Sequence, residues 1–189
     1  MTTTQEASSK MDGNVGKVFR GSVRQATASD ADLLAELGRK SFYEAFCKMT
    51  APEDMAAYLQ SAFSKVSIKD QIEDERSIFL IADVDDMEAG YAYAYPTAAP
   101  DCIRDTDAIQ LVKLYLRKKY YGRAVGDALM QTVIDRSRSD GYQSIWLSSW
   151  ELNHRANAFY KKWQFDVVGR QKFTVGSDIQ NDYILSRKI

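Results

Sequence analysis

The stretch K-K-Y-Y-G-R-A-V-G, Lys118 to Gly126, joins an apolar alternating segment to one of helical pattern. The chemistry available there is anion binding. The first amides of a helix lack internal partners, the helix start carries partial positive charge, and glycine lets a backbone approach an oxyanion closely. Four cations lie between Arg117 and Arg123, although charge runs usually just face water. Gly122 and Gly126 fit neither the G-x-x-x-x-G-K-[ST] nucleotide loop nor the G-x-G-x-x-G dinucleotide fingerprint. Alone, the stretch is either a phosphate cradle or a structural corner. Further on, Glu151 and Tyr160 offer a carboxylate and a phenol that can handle protons. The single histidine, His154, sits at a helix start, where an exposed or capping role is ordinary. Cys47 and Cys102 have no metal-ligand spacing, so no metal is expected.

These groups need elements to position them. Val18 to Arg24 forms a first strand, and Thr27 with Asp30 signals the start of a helix. A second helix opens at T-A-P-E, with Thr50 as cap, and runs to about Phe63; a short third covers Ser67 to Asp74. S-I-F-L-I-A-D-V, D-D-M-E-A-G and Y-A-Y-A-Y-P read as a hairpin that puts Tyr91, Tyr93 and Tyr95 on one face. Asp107 to Leu116 is an apolar strand, and Ala124 to Asp140 is a helix stopped by Gly141. Q-S-I-W-L-S-S-W is the next strand. In the helix after it, Ala156, Phe159, Tyr160 and Trp163 form one stripe, and F-D-V-V-G-R-Q-K-F-T-V with D-Y-I-L-S-R-K-I closes the chain as a hairpin. The alternation implies an α/β (α+β) fold: a mixed, mostly antiparallel sheet of about seven strands with helices on both faces.

The 189 residues suit one domain, 18–189, preceded by a flexible tail, 1–17, without the marks of a targeting peptide. With 25 basic and 26 acidic side chains the net charge is −1, so there is no general attraction to nucleic acid or to membrane surfaces. Apolar runs of strand length exclude a spanning helix, and the two cysteines read as reduced thiols in the cytoplasm. The oligomeric state is open, a homodimer included.

Y-L-R-K-K-Y-Y-G-R-A-V-G-D-A-L-M followed by I-W-L-S-S-W-E-L-N-H-R-A-N-A-F-Y-K-K-W-Q-F resembles the acetyl-CoA core of the Gcn5-related N-acetyltransferases (GNAT). Ser41 to Phe46, Met55 to Phe63, Ile145 to Asn153 and Ala158 to Lys162 are similar to PaiA-type spermidine/spermine N-acetyltransferases. The resemblance implies acetyl-CoA as cosubstrate and a small-molecule amine, a polyamine above all, as acceptor. It implies that the backbone of Leu114, Tyr115 and Leu116 pairs with the pantetheine arm. The loop of Tyr121, Gly122, Arg123, Ala124, Val125 and Gly126 would hold the pyrophosphate, Asn153 would bind the arm or cap its helix, and Lys162 would meet phosphates or water. The family loop, Gln/Arg-x-x-Gly-x-Gly/Ala, has Tyr121 and Ala124 at its first two marked positions here; Ala124 keeps its N–H and needs only a helical φ.

Tyr160 is the candidate general acid, with packing in the stripe as the other reading. From phenol near 10 to thiol near 8.5, full proton transfer is uphill by about 2 kcal/mol, so hydrogen-bond donation is the favoured form. Glu151 is the candidate base, in place of a glutamate that relatives carry on the central strand; a structural or substrate-orienting role is equally open. Glu44, Asp101, Asp105 and Asp107 are candidates to attract a cationic acceptor, and Tyr43 and the Tyr91–Tyr95 row to line its channel. The alternatives are transfer to a protein, a peptide or an amino-acid-like metabolite, and a non-catalytic acyl-CoA sensor.

Overall fold

Alternating apolar residues over most of the second half of the chain build a single mixed sheet in the computed structural model, which describes residues 18–175 and 178–189. The expected tail, residues 1–17, lies outside them. The strands are β1 (Ser22–Gln25), β2 (Ile78–Val84), β3 (Met87–Tyr95), β4 (Ala108–Leu116), β5 (Ser144–Trp150), β6 (Asp166–Val175) and β7 (Asp178–Lys188). They lie in the order β1-β2-β3-β4-β5-β7-β6. Among the described residues only β4 and β5 pair in parallel, the helical connection between them returning the chain to the same end of the sheet.

The helices are α1 (Ala31–Phe46), α2 (Pro52–Ala62), α3 (Lys65–Glu73), α4 (Val125–Ser139) and α5 (His154–Lys162). One face of the sheet buries Phe79, Ile81, Tyr91 and Tyr93 against Leu34, Phe42, Phe63 and Ile68 from the α1–α3 layer. The other buries Leu80, Ile109, Leu111 and Ile145 against Leu129, Met130 and Val133 of α4, with Phe159 and Trp163 of α5 at the margin. Each such aliphatic or aromatic side chain contributes about 1.5–3 kcal/mol on leaving water.

Local chemistry sets the boundaries. Asp30 accepts the Thr27 N–H at 2.8 Å, and the expected start there is a 3₁₀ turn, Ala28–Asp30, running into α1. The cap of α2 is Ala51 rather than Thr50, with Pro52 as the first helical residue. The β2–β3 turn narrows to Asp85 and Asp86, both at positive φ (52° and 56°), the handedness that matches strand twist in a two-residue hairpin. Gly141 closes α4 at φ 90°.

One irregularity shapes everything downstream. Ala94 pairs with Leu111 and Tyr93 with Lys113, so Val112 is an extra residue on β4, a bulge that bends the strand. Past it, β4 and β5 diverge: their register holds only Ala108↔Ser144, Ile109↔Ile145 and Gln110↔Trp146. On its other side β5 pairs with β7 along its whole length, from Ser144↔Lys188 to Trp150↔Asp182. The β5-facing backbone edge of β4 from Val112 to Leu116 therefore has no strand partner among the described residues.

Candidate active site

The divergence of β4 and β5 opens a cavity of about 460 Å³. Its walls are Leu114, Tyr115 and Leu116 of β4, Ser148 and Trp150 of β5, the loop ahead of α4, and Phe159 and Tyr160 of α5. Apolar side chains dominate, and the polar groups are few and convergent, the usual make-up of a ligand site.

At one end is the loop raised by the sequence. Tyr121, Gly122, Ala124, Val125 and Gly126 line the cavity. Gly122 has φ 70°, and Ala124, the cap of α4, sits at φ 60°, ψ 8°. Ala124 is therefore not helical as expected but left-handed, a conformation in which a Cβ crowds the carbonyl. The strain falls in the four-residue turn, Tyr121 to Ala124, that links a 3₁₀ turn (Lys118–Tyr120) to the helix. The first helix-type bond runs from Ala128 N–H to Ala124 O, 3.0 Å. The amides of Val125, Gly126 and Asp127 precede it and are free for an anion.

Charge around this loop is distributed differently from expectation. Arg123 is exposed and outside the lining. Lys162 is paired with Asp127 at 2.8 Å, an oxygen that also accepts the Trp163 indole N–H. Arg117 donates to Glu44 (2.9 and 3.0 Å), whose other oxygen accepts Lys118 N–H. Arg155, passed over in the sequence, lines the cavity and lies 3.8 Å from the Tyr121 ring centroid.

At the middle stands Tyr160. Burial pushes its phenol up to about 12, so it is fully protonated at neutral pH and has its O–H to donate. Asn153 lines the cavity and caps α5, accepting Ala156 N–H at 3.3 Å. Asn157, another residue the sequence reading missed, donates to Trp150 O and Glu151 O at 3.1 Å and accepts Ser149 Oγ–H. It locks the β5–α5 corner and with it the placement of Tyr160; an asparagine in the first turn after a strand was the signal.

At the far end the wall is aromatic: Phe42 and Phe46 of α1, Tyr58 of α2, Tyr115 and Phe173. Two ionisable side chains line it with them, Asp182 of β7 and Lys113 of β4. Lys113 lies over the Phe63 and Tyr93 rings (5.4 and 5.8 Å), and burial lowers its ammonium to about 8. Glu151 is at the rim, outside the lining, with its Oε1 accepting Asn181 Nδ2–H at 3.3 Å.

None of Glu44, Asp101, Asp105 and Asp107 lines the cavity. Asp105 pairs with Lys188, and Asp107 accepts from Gln143, both by the opposite end of β4. Tyr91 and Tyr93 are core residues, Tyr95 is bonded to Asp74, and Tyr43 is exposed beside a separate small groove. Among the described residues no group of His, Cys, Asp or Glu could hold a metal ion, and no helix is long and apolar enough to cross a membrane.

A parallel pair that splays beside a helix start, leaving one strand edge and three amides free, defines a site for a long phosphorylated thioester. The chain belongs to the acetyltransferase (GNAT) family, whose model matches residues 40–165. It is an acetyl-CoA-dependent N-acetyltransferase. It is 32% identical over 162 residues to an uncharacterized N-acetyltransferase of Mycobacterium tuberculosis, covering 85% of this chain and 99% of that one. An uncharacterized N-acetyltransferase of Lactobacillus delbrueckii is 27% identical over 165 residues, 87% and 95% of the two chains. Among solved structures, the PaiA N-acetyltransferase of Thermoplasma acidophilum in complex with coenzyme A superposes with a TM-score of 0.74 at 20% identity, over 90% of this chain and all of that one.

Proposed function

We propose that the protein transfers the acetyl group of acetyl-CoA to a primary amine of a small, flexible acceptor, a polyamine such as spermidine or spermine being the substrate class. One observation carries this reading: the unpaired edge of β4 leads from the loop amides to the Tyr160 phenol and on into an aromatic slot with a carboxylate, Asp182, in its wall. Aromatic faces suit the methylenes and the cationic nitrogens of a polyamine, and a carboxylate suits its reacting end.

The residues fit the cosubstrate. Leu114 to Leu116 offer backbone groups to an amide-bearing arm, as a missing strand would. Val125, Gly126 and Asp127 offer N–H groups, and Arg155 offers charge, to a pyrophosphate. When bound, the cosubstrate supplies an activated thioester carbonyl. Tyr160 then faces the leaving sulfur. With its phenol at about 12 against a thiol near 8.5, outright transfer would be uphill by about 5 kcal/mol, so Tyr160 acts by hydrogen-bond donation as the C–S bond lengthens.

Lys113 supports a second reading, an acceptor that carries its own carboxylate, as an amino-acid-like metabolite does: a cation beside the slot would hold it. The domain is taken as residues 18–189, and the two free thiols, Cys47 and Cys102, accord with a cytoplasmic setting. Thiol release from acetyl-CoA across spermidine, spermine, amino acids and peptides decides among these. Turnover of peptides alone would exclude the polyamine class.

A further inference from the structure

Asp182 lies midway along β7, opposite Trp150 of β5 and Gln171 of β6. It is 5% exposed and lines the cavity. Among the described residues its Oδ1 has no hydrogen-bond partner. Withholding a donor from a buried carboxylate oxygen is costly, and the cost is understandable where a ligand brings the donor.

Its surroundings say which ligand. Tyr58, raised by burial and next by Asp182, lies on the α2 side, with its ring 6.4 Å from Phe173. Tyr115 feels burial first, then Tyr58, Tyr91, Tyr160 and Asp182. The carboxylate thus shares one cavity wall with the aromatic slot and with Tyr160. Burial pushes its own carboxyl up, the Ser148 hydroxyl pulls it down, and the Glu151 charge pushes it up again. The ionisable groups around it are Glu151 from the turn after β5, Tyr58 from α2, Lys113 and Tyr115 from β4, and Tyr160 from α5.

We infer that Asp182 binds the ammonium of the acceptor through Oδ1 and takes the proton that this nitrogen must lose before it attacks. The inference rests on the amine-acetylation reading above. Glu151, turned toward Asn181, acts through its charge on Asp182. The incoming R–NH3+ gives one proton to Asp182 and becomes R–NH2, whose lone pair forms the C–N bond at the acetyl carbonyl carbon. As the C–S bond breaks, the sulfur takes the bonding pair, its growing charge steadied by the hydrogen bond from Tyr160, and the thiolate then takes the second proton shed by nitrogen. Asp182 releases its proton to water, leaving an acetamide, a free thiol and one proton. A low-dielectric pocket helps the first step, because it favours the neutral acid and amine over the ion pair's two charges.

The test is Asp182→Asn, which preserves shape. For spermidine, kcat/KM is expected to fall about 10²–10³-fold, and the acidic limb of its pH profile to vanish. Coenzyme A affinity by calorimetry should be unchanged, showing that the variant is folded. Spermidine should bind the coenzyme A complex at least about tenfold more weakly. Stability gives an independent readout: a carboxyl raised in the fold destabilises above its folded pKa and not below the unfolded value, so the amide should raise Tm at pH 7 and lose that advantage in acid. Asp182→Glu should retain the acidic limb at a reduced rate. Wild-type kcat/KM, pH profile and amine affinity in the Asn variant would overturn the role of Asp182 while leaving amine acetylation standing. A wild-type protein that binds coenzyme A yet neither binds nor acetylates any amine would remove the acetyltransfer reading, and this inference with it.

Discussion

The guanidinium of Arg155, in the first turn of α5, lies over the ring of Tyr121, its Cζ 3.8 Å from the centroid. The tyrosine stands where related loops have Gln or Arg, and its ring acts as a shelf that carries a cation from the neighbouring helix to the cavity mouth. The charge is kept and its source is moved. Arg155→Ala should weaken coenzyme A binding about tenfold or more, in line with about 1.5–3 kcal/mol for a charge-assisted contact, and flatten its salt dependence. Tyr121→Leu should produce a smaller loss by freeing the guanidinium. Calorimetry at two ionic strengths measures both; equal affinities in all three proteins would remove Arg155 from the site.

Gly126 isolates the contribution of the loop amides. A Cβ there would meet the Phe159 ring at 3.4 Å, an ordinary contact. Gly126→Ala should therefore keep coenzyme A affinity within about twofold. Gly126→Pro, which deletes one N–H in the first helical turn where proline is tolerated, should cost about 1 kcal/mol or more of binding. If the two variants bind alike, the amide is not a ligand.

Ala124 at φ 60° carries a strain of about 1–2 kcal/mol that glycine would not, against about 0.4–1 kcal/mol for the freer unfolded chain. Ala124→Gly should gain up to about 1 kcal/mol in urea unfolding with coenzyme A affinity intact. A loss of stability would mean that the methyl packs more than it strains.

Tyr160→Phe should lower kcat about 10²-fold while Kd for coenzyme A stays put. Because the phenol titrates only at about 12, the wild-type rate should show no alkaline fall from this group below about pH 11. A full rate in the Phe variant would return Tyr160 to the packing role that its place beside Phe159 also allows.

Lys113 makes a prediction about stability rather than rate. Its ammonium titrates near 10.5 unfolded and about 8 folded. Below about pH 8 both states are protonated and the full penalty of burial is present. Between the two values the unfolded state holds more protons, so stability rises with pH, and above about 10.5 the penalty is gone. The shift is on the order of 3 kcal/mol, reduced by the loss of contacts with Phe63 and Tyr93. Lys113→Met should thus stabilise by about 1–2 kcal/mol at pH 7 and by nothing at pH 11. A stabilisation independent of pH would point to packing alone.

Periodicity carried most of the fold. The apolar alternation of β2 to β5 and the stripes of α4 and α5 are short-range patterns, and their bounds moved by only a few residues. The opening of β4 from β5 was not legible, because it depends on which residue of β4 is left unmatched and on β7 inserting between β5 and β6, both tertiary facts. The cavity-lining positions of the loop, with Asn153 and Tyr160 beside α5, were legible, because the strand-turn-helix pattern fixes their position whatever the side chain, whereas Arg155 and Asn157 were not. Asp182 was not singled out, although a signal existed: in D-Y-I-L-S-R-K-I it is in phase with Ile184, so an acid shares a strand face with a buried aliphatic. Glu44 misled for the opposite reason, since its attraction for cations is spent on Arg117 and the Lys118 amide.

The open edge of β4 has one more consequence. In the proposed site, main-chain groups and loop amides would grip the parts of the cosubstrate that are the same before and after transfer, a grip indifferent to whether the sulfur still bears its acyl group. Spent coenzyme A should therefore hold its place nearly as well as fresh acetyl-CoA, making the enzyme prone to inhibition by its own product and its throughput a readout of the ratio of the two.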